Sequence, residues 1–96
     1  MHTSAALTIN ENADPSVRAD LSTFVDELIP DNYPKFTHTI EGPDDMSAHV
    51  KSSIFGPSLT IPITNHMLAL GIWQGIYLCE FRKNSGKRAL VITIYS

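Results

Sequence analysis

Two prolines fence the most strongly patterned stretch of this 96-residue chain. Asp14-Pro15 opens it and Pro30 closes it. Between them, Val17, Leu21, Phe24, Val25 and Leu28 recur at spacings of three, four and seven. That period puts the apolar side chains on one face of an α-helix over 15–29, with Arg18, Asp20, Asp26 and Glu27 mostly on the wet side. Asp14 is a good capping residue, and Pro15 falls at the first helical position, where no N–H is needed. Pro30 turns the residue before it away from helical backbone angles and ends the helix.

A second, shorter helix is signalled further on. Asp44 or Asp45 can cap it, and it reaches about Phe55 before the stop signal Gly56-Pro57. Met46, Val50 and Ile54 are spaced by four and are expected to face the core. The rest of the pattern is β. Ala5 to Ile9 reads as a short apolar strand, followed by a turn-like Asn10-Glu11-Asn12-Ala13-Asp14. Ser58 to Ile63 reads as a strand that Pro62 bends or confines to an edge. After a turn at Thr64-Asn65-His66, a strand is expected from Met67 past Gly71 to Phe81, with Trp73 in the core or at an interface. Arg82 to Lys87 is a polar hairpin loop. Arg88 to Tyr95 alternates Leu90, Ile92 and Ile94 against Val91, Thr93 and Tyr95, a final strand. The order β-α-α-β-β-β defines one α+β domain over 1–96, with two helices and a mixed, mostly antiparallel sheet.

Composition narrows the function. A hydrophobic share of 43% supports a modest core, which association between copies often supplements. Seven Lys and Arg against ten Asp and Glu give a net charge of −3, and the cations are scattered. A nucleic-acid partner needs a clustered basic face, so none is expected. The single cysteine, Cys79, rules out an intrachain disulfide and fits a reducing, cytoplasmic setting. No apolar run reaches the ~18 residues of a membrane helix, and no secretory leader opens the chain.

Candidate chemistry concentrates in Glu41-Gly42-Pro43-Asp44-Asp45-Met46-Ser47-Ala48-His49-Val50-Lys51. This stretch sets three carboxylates, a histidine and a lysine beside a Gly-Pro turn. Loops with that density of titratable groups beside a helix start tend to bind or catalyse. Of the four histidines, His2, His38, His49 and His66, no pair has zinc-finger spacing and no HExxH occurs. His38 and His49 flank the Gly-Pro turn, which can fold them together near Glu41, Asp44 and Asp45. Plainer readings stand beside these. A single histidine is commonly a surface or capping group. Paired acids at a helix start also suit the helix dipole. Lys51 suits a phosphate contact or a solvated helix position equally well. Asn10-Glu11-Asn12 suits a metal, a polar ligand or a turn. Gln74, beside Gly75, can face a pocket. No glycine-rich phosphate loop, nucleophile elbow or dinucleotide fingerprint is present. The residues themselves point to a polar site of histidines and acids on a small α+β domain.

Four segments carry a resemblance: HTSAALTINENADP, EGPDDMSAHVKSS, GPSLTIPI and LALGIWQGIYLCEFR. They resemble the YjbQ-like family of small proteins, often labelled secondary thiamine-phosphate synthases, from His2 to about Thr93. The resemblance implies a homotrimer with sites near subunit boundaries. It also implies joining of an aminopyrimidine diphosphate to a thiazole phosphate, with release of pyrophosphate. Carried over by position, His49, Asp45, Glu41 and Gln74 are the catalytic candidates, and Lys51, Asn10 and Asn12 the ligand or phosphate contacts. A divalent ion, zinc or magnesium, is expected on Asp44 with Glu41 and Asp45, or on His2, His38 and His49. Glu11 and Asp14 complete the polar motif positions. Two alternatives stay open: a non-catalytic trimer that binds a metal or anion, and an inactive, shortened homologue. The sequence also departs from the family pattern. A β-rich segment that precedes the His-Thr-Ser stretch in the family is missing, and its loss is expected to expose a sheet edge. Ile72 stands where threonine is usual, His66 where a turn glycine is common, and Ser47 where proline is frequent. The histidine is expected to cost hairpin stability.

Overall fold

The computed structural model describes residues 2–96. In chain order the elements are β1 (Ala5–Glu11), α1 (Pro15–Leu28), α2 (Asp45–Phe55), β2 (Ile63–Thr64), β3 (Met67–Leu68) and β4 (Gln74–Glu80). The architecture is α+β, with two helices and small antiparallel sheets, as the element order predicts.

α1 starts where its local signals place it, whereas Asp44 precedes α2 without the expected side-chain capping hydrogen bond. The Asp14 carboxylate accepts the Ser16 N–H at 2.9 Å, and Pro15 occupies the first helical turn. The carboxylate thereby satisfies an otherwise orphan donor of the first turn. α2 ends at Gly56, whose N–H reaches the Ser52 carbonyl at 2.9 Å. The Gly56 carbonyl in turn accepts the Leu7 N–H at 3.1 Å, which ties the end of α2 to β1.

β1 and β4 pair antiparallel, from Ala5 opposite Glu80 to Glu11 opposite Gln74. Leu7, Ile9, Ile76 and Leu78 share one face of this ladder, and Ala6, Thr8, Tyr77 and Cys79 share the other. Gly75 cannot be replaced cheaply, because a Cβ there would lie 2.7 Å from the Asn12 Cβ.

α2 docks on β1 through small and polar residues. Its buried positions are Asp45, Ser47, Ala48, Lys51 and Ser52, not the expected Met46, Val50 and Ile54. Small side chains let the helix come close, and each buried polar group has a partner. Ser52 Oγ donates to the Ala5 carbonyl at 2.9 Å. Ser47 Oγ donates to Asp31 and, at 3.2 Å, to the Asp44 carbonyl. Lys51 Nζ donates to Asp26 on α1 at 2.7 Å.

Several sequence expectations are corrected. On α1 only Val25 of the predicted stripe is buried, while Phe24 is 63% and Leu28 65% exposed. Leu21 and Val25 of the stripe line a cleft between α1, α2 and β4. Trp73 is 64% exposed rather than core; its backbone carbonyl, not its ring, is engaged, accepting the Asn12 N–H at 2.7 Å. The strand expected over 58–63 shrinks to Ile63–Thr64, in keeping with the missing N–H groups of Pro57 and Pro62. The strand expected over 67–81 splits in two. A turn at Gly71, closed by Gln74 N–H to the Gly71 carbonyl at 3.0 Å, interrupts it. The strand expected over 88–95 forms no ladder. Arg88 is drawn to Glu80 and Ser4, and the Ala89 N–H goes to a side chain, His2 Nε2 at 3.0 Å.

Candidate metal centre

Asp45 opens α2 and is 2% exposed. His49 lies one helical turn further along the same face. His38 arrives from the loop between the helices. That loop is closed by Asn32 N–H to the Pro43 carbonyl at 3.3 Å. Its turn passes through Gly42 at φ +115°, a conformation that side chains rarely tolerate. The result brings His38 Nε2 to 2.8 Å and His49 Nε2 to 3.0 Å from the same oxygen, Asp45 Oδ2. The two imidazole rings sit 5.5 Å apart. The three donor atoms lie within 4.8 Å of one another.

His49 Nδ1 is 2.8 Å from the Thr3 carbonyl. A carbonyl only accepts, so Nδ1 carries the hydrogen and donates. The Nε2 of His49 is then the atom that faces a carboxylate oxygen. Two lone pairs 3.0 Å apart call for a proton or a cation between them.

Asp45 Oδ1 faces the other way and accepts from Arg82 Nη1. Arg82 Nη2 donates to the Glu41 carbonyl at 3.0 Å, and its buried Nε lies 3.3 Å from Asp44 Oδ1 without a hydrogen bond. Burial pushes the Asp45 carboxyl up, but the His38 hydrogen bond and the charges of His49 and Arg82 outweigh it. The group is held below the usual carboxylate range. Asp44 is also lowered, chiefly by the Lys83 N–H, which it accepts at 2.8 Å, with Arg82 adding to the effect and burial opposing it.

Three of the sequence candidates, His38, Asp45 and His49, therefore meet at one point. The others sit around that point or away from it. Asp44 is occupied by Lys83 and Arg82, and Glu41 offers Arg82 its carbonyl while its side chain lies beside Asp45 and helps to lower that carboxyl. His2 holds the Ala89 N–H. Gln74 Oε1 accepts the Gly71 N–H at 2.6 Å and shapes the turn before β4. Asn10 Oδ1 accepts the Glu11 N–H at 2.7 Å, and the Glu11 carbonyl accepts from the Tyr77 hydroxyl. Asp14 is a helix cap. Asn12 and Lys51 line the cleft of about 590 Å³ between α1, α2 and β4, whose lining includes none of His38, Asp45 and His49. This cleft and the cluster of donors are separate places, and Arg82 borders both.

Sequence reasoning passed over Arg82. It lies 37 residues from Asp45 in a stretch that reads as a polar hairpin loop. The available signal was indirect: an acid that the fold buries requires a cation.

Fold and cluster define a small α+β protein with a His-Asp-His centre able to hold a metal ion. The chain belongs to the family described as UPF0047 protein YjbQ-like, whose sequence model matches residues 1–96. It is 48% identical over 94 residues to UPF0047 protein YjbQ of Salmonella typhimurium, covering 98% of this chain and 67% of that protein. It is also 48% identical over 80 residues to UPF0047 protein YugU of Bacillus subtilis, covering 83% and 58%. Among solved structures, the YjbQ/UPF0047-family protein of Clostridium acetobutylicum superposes with a TM-score of 0.74 at 45% identity. That match covers 83% of this chain and 59% of the other. The conserved hypothetical protein TT1486 of Thermus thermophilus gives a TM-score of 0.75 at 40% identity, covering 83% and 61%. The chain spans about three fifths of the length of these solved relatives. No helix among the described residues is long and apolar enough to cross a membrane.

Proposed function

We propose that this protein binds a divalent transition-metal ion through His38, Asp45 and His49 and works with it on a small phosphorylated substrate. The observation that carries the reading is the convergence of His38 Nε2 and His49 Nε2 on one Asp45 oxygen, at 2.8 and 3.0 Å, with the His49 ring pinned by Thr3 through its other nitrogen. Histidines that ligate metals are held in this way, with the remote nitrogen donating to a carbonyl or carboxylate. Two imidazoles and one carboxylate suit zinc better than magnesium, which prefers an all-oxygen shell. Three protein donors also leave a coordination position for substrate or water, the pattern of catalytic rather than structural zinc.

An ion held by His38, Asp45 and His49 would supply Lewis acidity toward a phosphoryl oxygen. The chain's own part is to hold the donors: Thr3 orients His49, the closed loop presents His38, and Arg82 steadies Asp45. The specific reaction in this reading is the one the sequence resemblance implies, in which an aminopyrimidine diphosphate joins a thiazole phosphate with release of pyrophosphate. In this reading the working form is a cytoplasmic homotrimer. A binding protein without catalysis is the second reading. It is favoured by Lys51, whose ammonium is engaged by Asp26 and not free for a phosphate.

Zinc titration of the metal-stripped protein tests the centre, and native mass spectrometry of the same sample tests the trimer. One zinc per chain is expected. His49→Ala is expected to weaken binding by more than the ~10–100-fold typical of losing an outer partner. Unchanged affinity in that variant would refute the assignment. Zinc bound without any coupling of the two phosphorylated precursors would favour the second reading.

A further inference from the structure

We infer that Arg82 is the positioning residue of this centre: it dictates which oxygen of Asp45 faces the metal position, and thereby how many donors the protein presents. The inference rests on the metal-binding reading above.

A carboxylate can meet a cation through one oxygen or through both. In this protein the two Asp45 oxygens are divided. Oδ1 accepts from Arg82 Nη1, while Oδ2 lies 2.8 and 3.0 Å from the two imidazole nitrogens. The guanidinium is itself held at separate corners. Nη2 donates to the Glu41 carbonyl at 3.0 Å, Nε lies 3.3 Å from Asp44 Oδ1, and the next residue gives its backbone N–H to Asp44 Oδ2 at 2.8 Å. The Arg82 backbone N–H is fixed as well, donating to Glu80 Oε2 at 3.0 Å. Only a rigid planar fork spans Asp45, Asp44 and the Glu41 carbonyl at once; a lysine ammonium is a point charge and reaches one of them.

With Arg82 in place the centre presents two nitrogens and one oxygen. Without it, Oδ1 loses its partner and the carboxylate is free to turn about its Cβ–Cγ bond. Both oxygens then compete for the ion, and a fourth protein donor fills the position left for substrate. Arg82 touches no metal donor atom in the histidines and acts wholly through Asp45.

Cobalt(II) serves as the probe, because its visible bands are intense at four-coordinate sites and weaken as coordination rises. The full chain is compared with Arg82→Gln, Arg82→Lys and Glu80→Gln. The last variant weakens the anchor of the Arg82 backbone and the Glu80–Arg88 ion pair while leaving the Arg82 guanidinium and its contacts to Asp45, Asp44 and the Glu41 carbonyl in place. In the unaltered protein, strong bands are expected. In Arg82→Gln, a severalfold loss of intensity is expected. Arg82→Lys is expected to recover part of it, and Glu80→Gln to keep the original spectrum. The inference fails if Arg82→Gln keeps the original spectrum, or if Glu80→Gln changes it equally, since Arg82 would then serve only to hold the loop. Should Arg82→Gln not fold, Arg82→Lys decides: a spectrum identical to that of the unaltered protein overturns the inference. An unaltered protein that binds no cobalt removes the metal reading itself, a failure separable from these.

Discussion

Removing either partner of the Lys51–Asp26 pair should have unequal consequences. Lys51 Nζ sits 2.7 Å from Asp26 Oδ1, and the two side chains are 5% and 65% exposed. The ammonium has given up most of its water; the carboxylate has not. Asp26→Ala therefore strands a buried cation, with the Phe81 ring, 5.9 Å away, as its remaining support. Stranding one member of a fully buried pair costs about 3–5 kcal/mol. The exposure of Asp26 admits water on one side, so roughly half of that, ~2 kcal/mol, is expected here. Lys51→Met keeps the aliphatic stem, removes the desolvated charge and returns Asp26 to water. It should stay within about 1 kcal/mol of the unaltered protein. The double variant should then be more stable than Asp26→Ala alone. Urea unfolding followed by far-UV circular dichroism reads this directly. With m in the usual range of about 1–2 kcal/mol/M, the Asp26→Ala midpoint should fall by roughly 1–2 M. If Lys51→Met loses as much as Asp26→Ala, or the double variant shows no recovery, burial of an unpaired ammonium is the wrong account of this pair.

Two further outcomes follow from other residues. The Arg88 hydrogen bond draws Glu80 from 4.5 down to about 2, against a smaller opposing effect of burial. A folded-state value below the unfolded one means stability that is present above pH 4.5 and is lost as pH falls toward 2. Glu80→Gln should flatten that part of an acid-unfolding curve; an unaltered slope would show that the ion pair is not what titrates. His66 lies at φ +64° in the two-residue turn between β2 and β3. Relieving a left-handed side chain with His66→Gly should gain about 1 kcal/mol, roughly 4–8 °C in Tm. An unchanged or lower Tm would count against strain at this turn.

The helices were legible in the sequence because their signals are local. Asp14, Pro15 and Pro30 bound α1, and Gly56 stops α2, within a few residues of the helix each controls. Strand pairing is not local. Nothing near Arg88–Tyr95 says that Arg88 will be captured by Glu80 and Ser4. The buried face of α2 was misread because apolar spacing picks out Met46, Val50 and Ile54. Docking on β1 instead uses the small and paired residues Ser47, Ala48 and Ser52. In the candidate site, the approach of His38 to His49 follows from a turn visible in the sequence at Gly42-Pro43. Which of two adjacent aspartates faces them depends on helix phase: Asp45 stands four residues before His49, and Asp44 points toward Lys83. Arg82 was out of reach because only the folded β4 brings it to Asp45.

The three donor residues all fall within residues 38–49, whereas the β1–β4 ladder joins Ala5 to Glu80. Closing a short loop forfeits far less chain entropy than closing a long one, so local contacts form first. A metal ion gathered by His38, Asp45 and His49 can hold the first turn of α2 and the preceding loop together before either strand has found its partner. The same locality lets the unfolded chain bind the ion, which subtracts from the equilibrium gain. Metal at this centre should therefore act as a folding nucleus, quickening refolding by more than its effect on stability alone implies.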